Sequence, residues 1–153
     1  MSHNFNKKMS TPLKSFQECC LYFTTNTLSR YIGKLAEDAF RVTSLAPSYA
    51  HLMLLIIDEP NLSQNELSKR INVKASTMTR FIDKLVLMQL VERTHEGRNT
   101  LIIPTEKGKN LKPSLDEALG NLYKAYCNLL GEEFAVKLTA DMHLANTKLN
   151  EVE

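Results

Sequence analysis

Several things are scarce in this chain, and each scarcity removes a class of protein. Its longest purely apolar runs, such as residues 52–57, fall far short of the roughly 20 residues a membrane-spanning helix requires. No apolar signal-peptide core precedes Thr11, so a cytoplasmic location is the expectation, with no membrane partner. Cysteine is limited to three residues, Cys19, Cys20 and Cys127. An odd count with one adjacent pair does not make a disulfide framework. The four histidines, His3, His51, His95 and His143, are scattered without metal-ligand spacing, so no metal is expected. A G-x-S-x-G elbow, a Walker loop and a dinucleotide fingerprint are all missing, and no carboxylate pair suggests a cleft. The chain therefore reads as a non-enzyme that needs no cofactor.

What is present is an ordinary globular composition. In 153 residues, 43% are hydrophobic and 24% charged, enough apolar material for one domain with a core and an added oligomerisation element. The net charge of +2 is small, but its distribution is not even. Residues 63–109 hold nine cations against five anions, a local +4, which leaves −2 for the rest. A basic block on a slightly acidic frame suits phosphate binding, because releasing counterions from DNA supplies most non-specific affinity. A merely solvated basic face is the alternative reading.

Apolar spacing predicts a mainly α chain with a small β-hairpin. Residues 1–10 are polar and expected to form a disordered tail. From Thr11-Pro12, an N-cap with proline at the first helical position, Leu13, Phe16, Cys20, Phe23, Thr27 and Tyr31 recur at helical spacing, predicting about six turns. Residues 43–47 break that helix, and 47–58 read as a buried central helix ended by Glu59-Pro60-Asn61. Ser63 and Glu66 form an S-x-x-E capping box for a short helix with Leu67 and Ile71 on its buried side. A turn over 71–74 follows, with Val73 plugging the angle. The next helix, about 75–89, turns Met78, Phe81, Ile82, Leu85 and Met88 inward. Residues 90–94 and 100–103 read as hairpin strands around Gly97 and Asn99, and Pro104 ends the second. Thr105 caps a helix whose proline, Pro113, predicts a kink or local unwinding, and Gly131 ends it. A last helix carries Phe134, Leu138, Met142, Ala145, Leu149 and Val152 on one stripe. Apolar stripes at both ends of the chain exceed what a small winged helix can bury. A bundle shared with a second copy would cover them.

Two helices joined by a tight turn, followed by a hairpin, have the shape of a winged helix-turn-helix DNA reader. Lys74, Ser76, Thr77, Thr79 and Arg80 occupy the first turns of the second helix, where short donors reach phosphates and base edges, and Lys84 follows one turn on. Arg80 is suited to a guanine edge by its planar fork. The alternatives are that Ser76 and Thr77 cap the helix and that Arg80 pairs with Asp83. At the hairpin tip, Arg98 is placed to enter the minor groove, with Glu96 holding its guanidinium extended. An exposed hairpin with incidental charges is the plainer reading.

The run LSKRINVKASTMTRFIDKLVLMQLVERT, then EGR, then LIIPTEKGKNL, resembles the MarR family of winged-helix transcription regulators. The resemblance rests on an S-T-x-T-R helix (Ser76, Thr77, Thr79, Arg80), a G-L-V-x-R strand start (Gln89, Leu90, Val91, Arg93), a D-x-R wing (Glu96, Arg98) and an L-T-x-x-G close (Pro104, Thr105, Gly108). Glu96 replaces the family's Asp, Gln89 its glycine, and the wing is about two residues short. The resemblance implies one MarR-like domain over 11–153, with dimerisation helices at 11–42 and 111–153 around a DNA-binding lobe at 48–110. It further implies a homodimer on a pseudo-palindromic operator in double-stranded DNA, commonly a repressor released by a ligand or an oxidant. Cys19 and Cys20, followed by Tyr22, are similar in position to the reactive cysteine of the OhrR branch. Against a redox role, Cys20 lies on the apolar stripe and Glu18 adjoins Cys19, as expected of structural cysteines. For a small aromatic effector, Tyr22, Tyr49, His51 and Met53 are the candidate lining, or they simply pack. A winged-helix protein-interaction module without DNA binding is the competing function, and it would lack a steep salt dependence for duplex.

Overall fold

The computed structural model describes residues 16–151. The expected tail at 1–10, the Thr11-Pro12 cap and Val152 lie outside the described residues. The chain divides into two compact units, Met1–Lys34 and Leu35–Glu153.

In the first unit, α1 (Phe16–Cys19) and α2 (Leu21–Phe40, which continues into the second unit) replace the single helix expected from the spacing. The break falls at Cys20. Its carbonyl accepts both the backbone N–H and the hydroxyl of Thr24, each at 3.0 Å, a side-chain bond that competes with straight helical geometry. Tyr22 and Phe23 meet edge-to-face with ring centres 5.3 Å apart.

The second unit begins in α2, where Ala36 and Phe40 are buried. A 3-10 turn (Arg41–Thr43) then follows, closed by Ser44 in the left-handed conformation. Buried Thr43 satisfies itself there: its hydroxyl donates to the Phe40 carbonyl at 2.7 Å and accepts from Leu45 N–H at 3.2 Å. Pro47 opens α3 (Pro47–Asp58), whose Ala50, Leu52, Met53, Leu54 and Ile56 are buried, as expected of a central helix. Around α3 pack α4 (Gln64–Arg70), α5 (Ala75–Leu87) and a three-stranded antiparallel sheet of β1 (Leu62–Ser63), β2 (Val91–Glu96) and β3 (Asn99–Pro104), in the order β1-β3-β2. The expected hairpin is β2 and β3, each longer than the apolar pattern suggested. β1 pairs Leu62 with Ile102 and Ser63 with Leu101, and two residues are too few to show any period.

The polypeptide leaves Pro104 through a single turn of helix, α6 (Glu106–Lys109), before α7 (Lys112–Leu130). Of the two outcomes expected at Pro113, the local unwinding is found, at residues 110–111, and not a kink. Pro113 occupies the first turn of a new helix, where its missing N–H costs no hydrogen bond. Gly131, at φ +85°, separates α7 from α8 (Glu132–Asn150). Tyr123 donates to Glu132 Oε1 across this junction at 2.9 Å. That bond, with a smaller contribution from Cys127, pushes the phenol up to about 12. Among the described residues no single helix is long and apolar enough to cross a membrane.

Candidate nucleic-acid interface

The helix pair at 63–87 is built by caps as much as by its core. Ser63 accepts Glu66 N–H at 3.3 Å while the Glu66 carboxylate takes Ser63 N–H at 2.8 Å and its hydroxyl at 2.6 Å, a closed capping box. These two bonds, the hydroxyl's first, hold the Glu66 carboxyl below its usual range. At the other end of α4, Asn72 adopts φ +51°, Val73 N–H reaches the Ser68 carbonyl at 3.0 Å and Asn72 N–H that of Lys69 at 3.3 Å. This is a Schellman stop, and Val73 folds back against the core beside Leu67.

The same device ends α5. Gln89 sits at φ +59°, its N–H bonds the Val86 carbonyl at 2.9 Å, and Leu90 N–H bonds that of Leu85 at 2.9 Å. A glycine suits this left-handed position, which gives a physical meaning to the residue that Gln89 replaces. Thr105 then fastens the wing's base. Its hydroxyl donates to the Gln89 carbonyl at 2.7 Å and accepts Gly108 N–H at 3.0 Å, while Lys107 Nζ donates to the Met88 carbonyl at 2.9 Å. Gly108 is required by close approach: a Cβ there would stand 2.1 Å from the Leu90 carbonyl oxygen.

With helix and wing anchored, the outward residues of α5 are defined. Met78, Ile82 and Leu85 are fully buried, and Lys74, Ser76, Thr79, Arg80 and Lys84 are exposed with Thr77 half-buried. Lys74 is the N-cap and no side chain caps the helix, so Ser76 and Thr77 are not spent on capping. Thr79 is differently placed: its hydroxyl donates to the Ala75 carbonyl at 3.0 Å and accepts from Gln64 Nε2 at 2.7 Å, tying α4 to α5. Asp83 does not pair with Arg80; it pairs with Arg93 of β2, a contact not anticipated from spacing. At the wing, Glu96 and Asn99 close a two-residue turn of Gly97, at φ +61°, and Arg98. Both Glu96 and Arg98 are exposed, and no ion pair joins them among the described residues.

The cations of the basic block separate into two sets. Arg70 is held by both oxygens of Glu59, at 2.9 and 2.7 Å, Arg93 by Asp83, Lys109 by Glu106 and Lys107 by the Met88 carbonyl. Lys69, Lys74, Arg80, Lys84 and Arg98 form no salt bridge among the described residues, and they lie on the helix pair and the wing tip. Between α4, α5 and the wing runs a groove of about 530 Å³, lined in part by Gln64, Thr79, Arg93, His95, Arg98 and Thr100.

The effector candidates do not share one environment. Met53 is fully buried, Tyr49 stacks on Phe81 with ring centres 4.8 Å apart, and His51 is exposed. In the other unit Tyr22 is exposed, and Cys19 and Cys20 are half-buried where α1 meets α2. Among the described residues no cluster of His, Cys, Asp and Glu could hold a metal ion.

Fold and interface together define a winged helix-turn-helix protein. The family model described as MarR family matches residues 45–99, from just before α3 to the wing tip. The chain's fold is similar to a MarR transcriptional regulator from Methanosarcina mazei Go1, at TM-score 0.74 and 18% identity over 91% of this chain and 100% of that one. It is similar also to MepR of S. aureus, solved in complex with DNA, at TM-score 0.73 and 15% identity over 84% and 98%. A third similar structure is CouR from Rhodococcus jostii RHA1, solved with p-coumaroyl-CoA, at TM-score 0.68 and 19% identity over 85% and 92%. No curated protein matches by sequence.

Proposed function

We propose that this protein is a sequence-specific DNA-binding transcription regulator, a repressor that acts in the cytoplasm as a homodimer on a pseudo-palindromic operator. The observation that carries this reading is the set of unpaired cations on one helix-turn-helix and its wing. Arg80 and Lys84 leave the same helix whose opposite side is sealed into the core, so α5 can enter the major groove without unfolding anything. Ser76 and Thr77 offer hydroxyls at its first turn, Thr79 positions the helix against α4, and Arg98 with Glu96 is carried toward the minor groove.

The dimer is supported by α8, where Phe134, Met142 and Leu149 stay exposed on one chain. Release by a small aromatic ligand or by thiol oxidation completes the proposal. Tyr22, Tyr49, His51 and Met53 are the candidate contacts for the first, and Cys19 or Cys20 the candidate for the second.

The experiment is a salt series of duplex binding. A DNA reader loses log affinity linearly with log salt, with a slope of about −0.9 per neutralised phosphate. Arg80→Ala should cost on the order of 1–3 kcal/mol on the preferred site and relax sequence preference. A flat salt response in the wild type overturns the proposal in favour of a protein-interaction module.

A further inference from the structure

The groove between α4, α5 and the wing is one-sided in charge. Arg93 and Arg98 are among its lining residues and no carboxylate is. The Glu66 carboxylate reaches the groove's edge only through its capping bond to Ser63, and Asp83, one turn beyond Thr79 on α5, takes a single hydrogen bond from one terminal nitrogen of Arg93.

That pair is not what holds the wing in place. β2 and β3 pair through six register positions, β3 is flanked by β1, and the Thr105 clasp fixes their base. The partners are 32% and 59% exposed, and ion pairs so exposed add little to stability. A guanidinium offers five donors in a fixed fork shaped for carboxylate or phosphate, so one bond to Asp83 leaves most of that capacity open to the groove.

We propose that Arg93 is a DNA-phosphate contact, and that Asp83 occupies it in the free protein as an intramolecular stand-in for phosphate. When duplex enters the groove, Arg93 passes from the carboxylate to a backbone phosphate, and Asp83 is released to solvent. Duplex binding is thereby opposed by a competitor carried on the recognition helix itself. This inference rests on the DNA-binding reading above and adds to it a contact and its restraint.

The test is a double-mutant cycle on random-sequence duplex, followed by fluorescence anisotropy across a sodium chloride series. Arg93→Gln should make the slope shallower by about 0.9. Asp83→Asn should tighten binding by up to roughly fivefold, the scale of an exposed ion pair given up. The decisive expectation is that this gain vanishes when Arg93→Gln is also present. A gain that persists without Arg93 reports only through-space repulsion and overturns the inference. So does Asp83→Asn that binds no better than wild type, or an Arg93→Gln slope that does not change. Asp83→Ala carries the same expectations, and thermal melting of each variant separates lost binding from lost fold. Wild type that shows no salt-dependent affinity for duplex overturns the DNA-binding function and this inference with it, whereas normal wild-type binding with a failed cycle overturns the inference alone.

Discussion

Leu52, Met53, Ile56, Leu67, Met78, Ile82 and Leu85 have no exposed surface, whereas Phe134, Val136, Leu144 and Leu149 of α8 keep more than half of theirs in solvent. Both sets are apolar residues on helices of one chain. In the winged lobe, α3, α4, α5 and the sheet share one core, to which Phe40 of α2 and Leu115 and Ala118 of α7 also contribute. On α8 only Ala135 is buried. A folded lobe is thus closed by its own chain, and α8 presents an apolar face that a single chain leaves open.

The sharpest way to break the lobe's side of this comparison is at its tightest contact. Gly108→Ala drives a methyl group into the Leu90 carbonyl, and backbone lies on both sides of the clash. Unfolding should become easier by about 3 kcal/mol or more, seen as a lowered urea midpoint. A loss below about 0.5 kcal/mol would mean that α6 can move freely and that the clasp is slack.

A charge on the open face should do the opposite. Met142→Asp lies mid-stripe on α8 and is 39% exposed on the single chain, so the lobe's own stability should hardly change. Self-association should weaken by about 2 kcal/mol, the loss typical of an interface anchor, as read by sedimentation equilibrium. If the unaltered chain sediments as a monomer, or the variant unfolds with the lobe, α8 is not an interface and the contrast between the regions fails.

The contrast also marks how far the sequence could be read. Residues 47–58 and the capping box were legible because an apolar run with proline in front and S-x-x-E at 63–66 encode structure within one turn of chain. Helix α5 was legible for the same reason, since Met78, Ile82 and Leu85 must share a side. What failed to show depended on residues far apart. β1 is defined by pairing with β3 some 40 residues on, and Arg93, read as a cation and as part of a strand motif, had no partner in view until Asp83 was brought to it. Pro113 illustrates a local signal with two meanings: proline reads alike in a kink and in a helix's first turn, and only the turn at α6 decides between them. Apolar spacing on α8 marked a stripe through Phe134, Met142 and Leu149 that this chain leaves exposed.

A smaller effect sharpens the lobe's local logic. Gln89 holds φ +59° at the end of α5, and its side chain is exposed while its carbonyl serves Thr105. Gln89→Gly removes the strain of a left-handed non-glycine residue but loosens the unfolded chain, two effects of opposite sign. The strain is the larger, and a net stabilisation of about 0.5–1 kcal/mol should appear as a raised urea midpoint with an unchanged slope.

The smallest expected effect concerns acid. The Glu66 carboxyl is held below its ordinary value of 4.5 by the Ser63 hydroxyl and then by Ser63 N–H. A carboxyl depressed by folding stabilises the folded state at every pH above that ordinary value, and the contribution drains away as pH falls through the lower folded value. Glu66→Gln keeps an oxygen for Ser63 N–H but cannot titrate. Wild type should therefore exceed the variant in urea midpoint at neutral pH, and the gap should close below pH 4.5. Because Glu66 is solvent-exposed, the gap will be modest. A gap that stays constant through acid would show that the box works through hydrogen-bond geometry alone, and that the start of α4 owes nothing to the charge of Glu66.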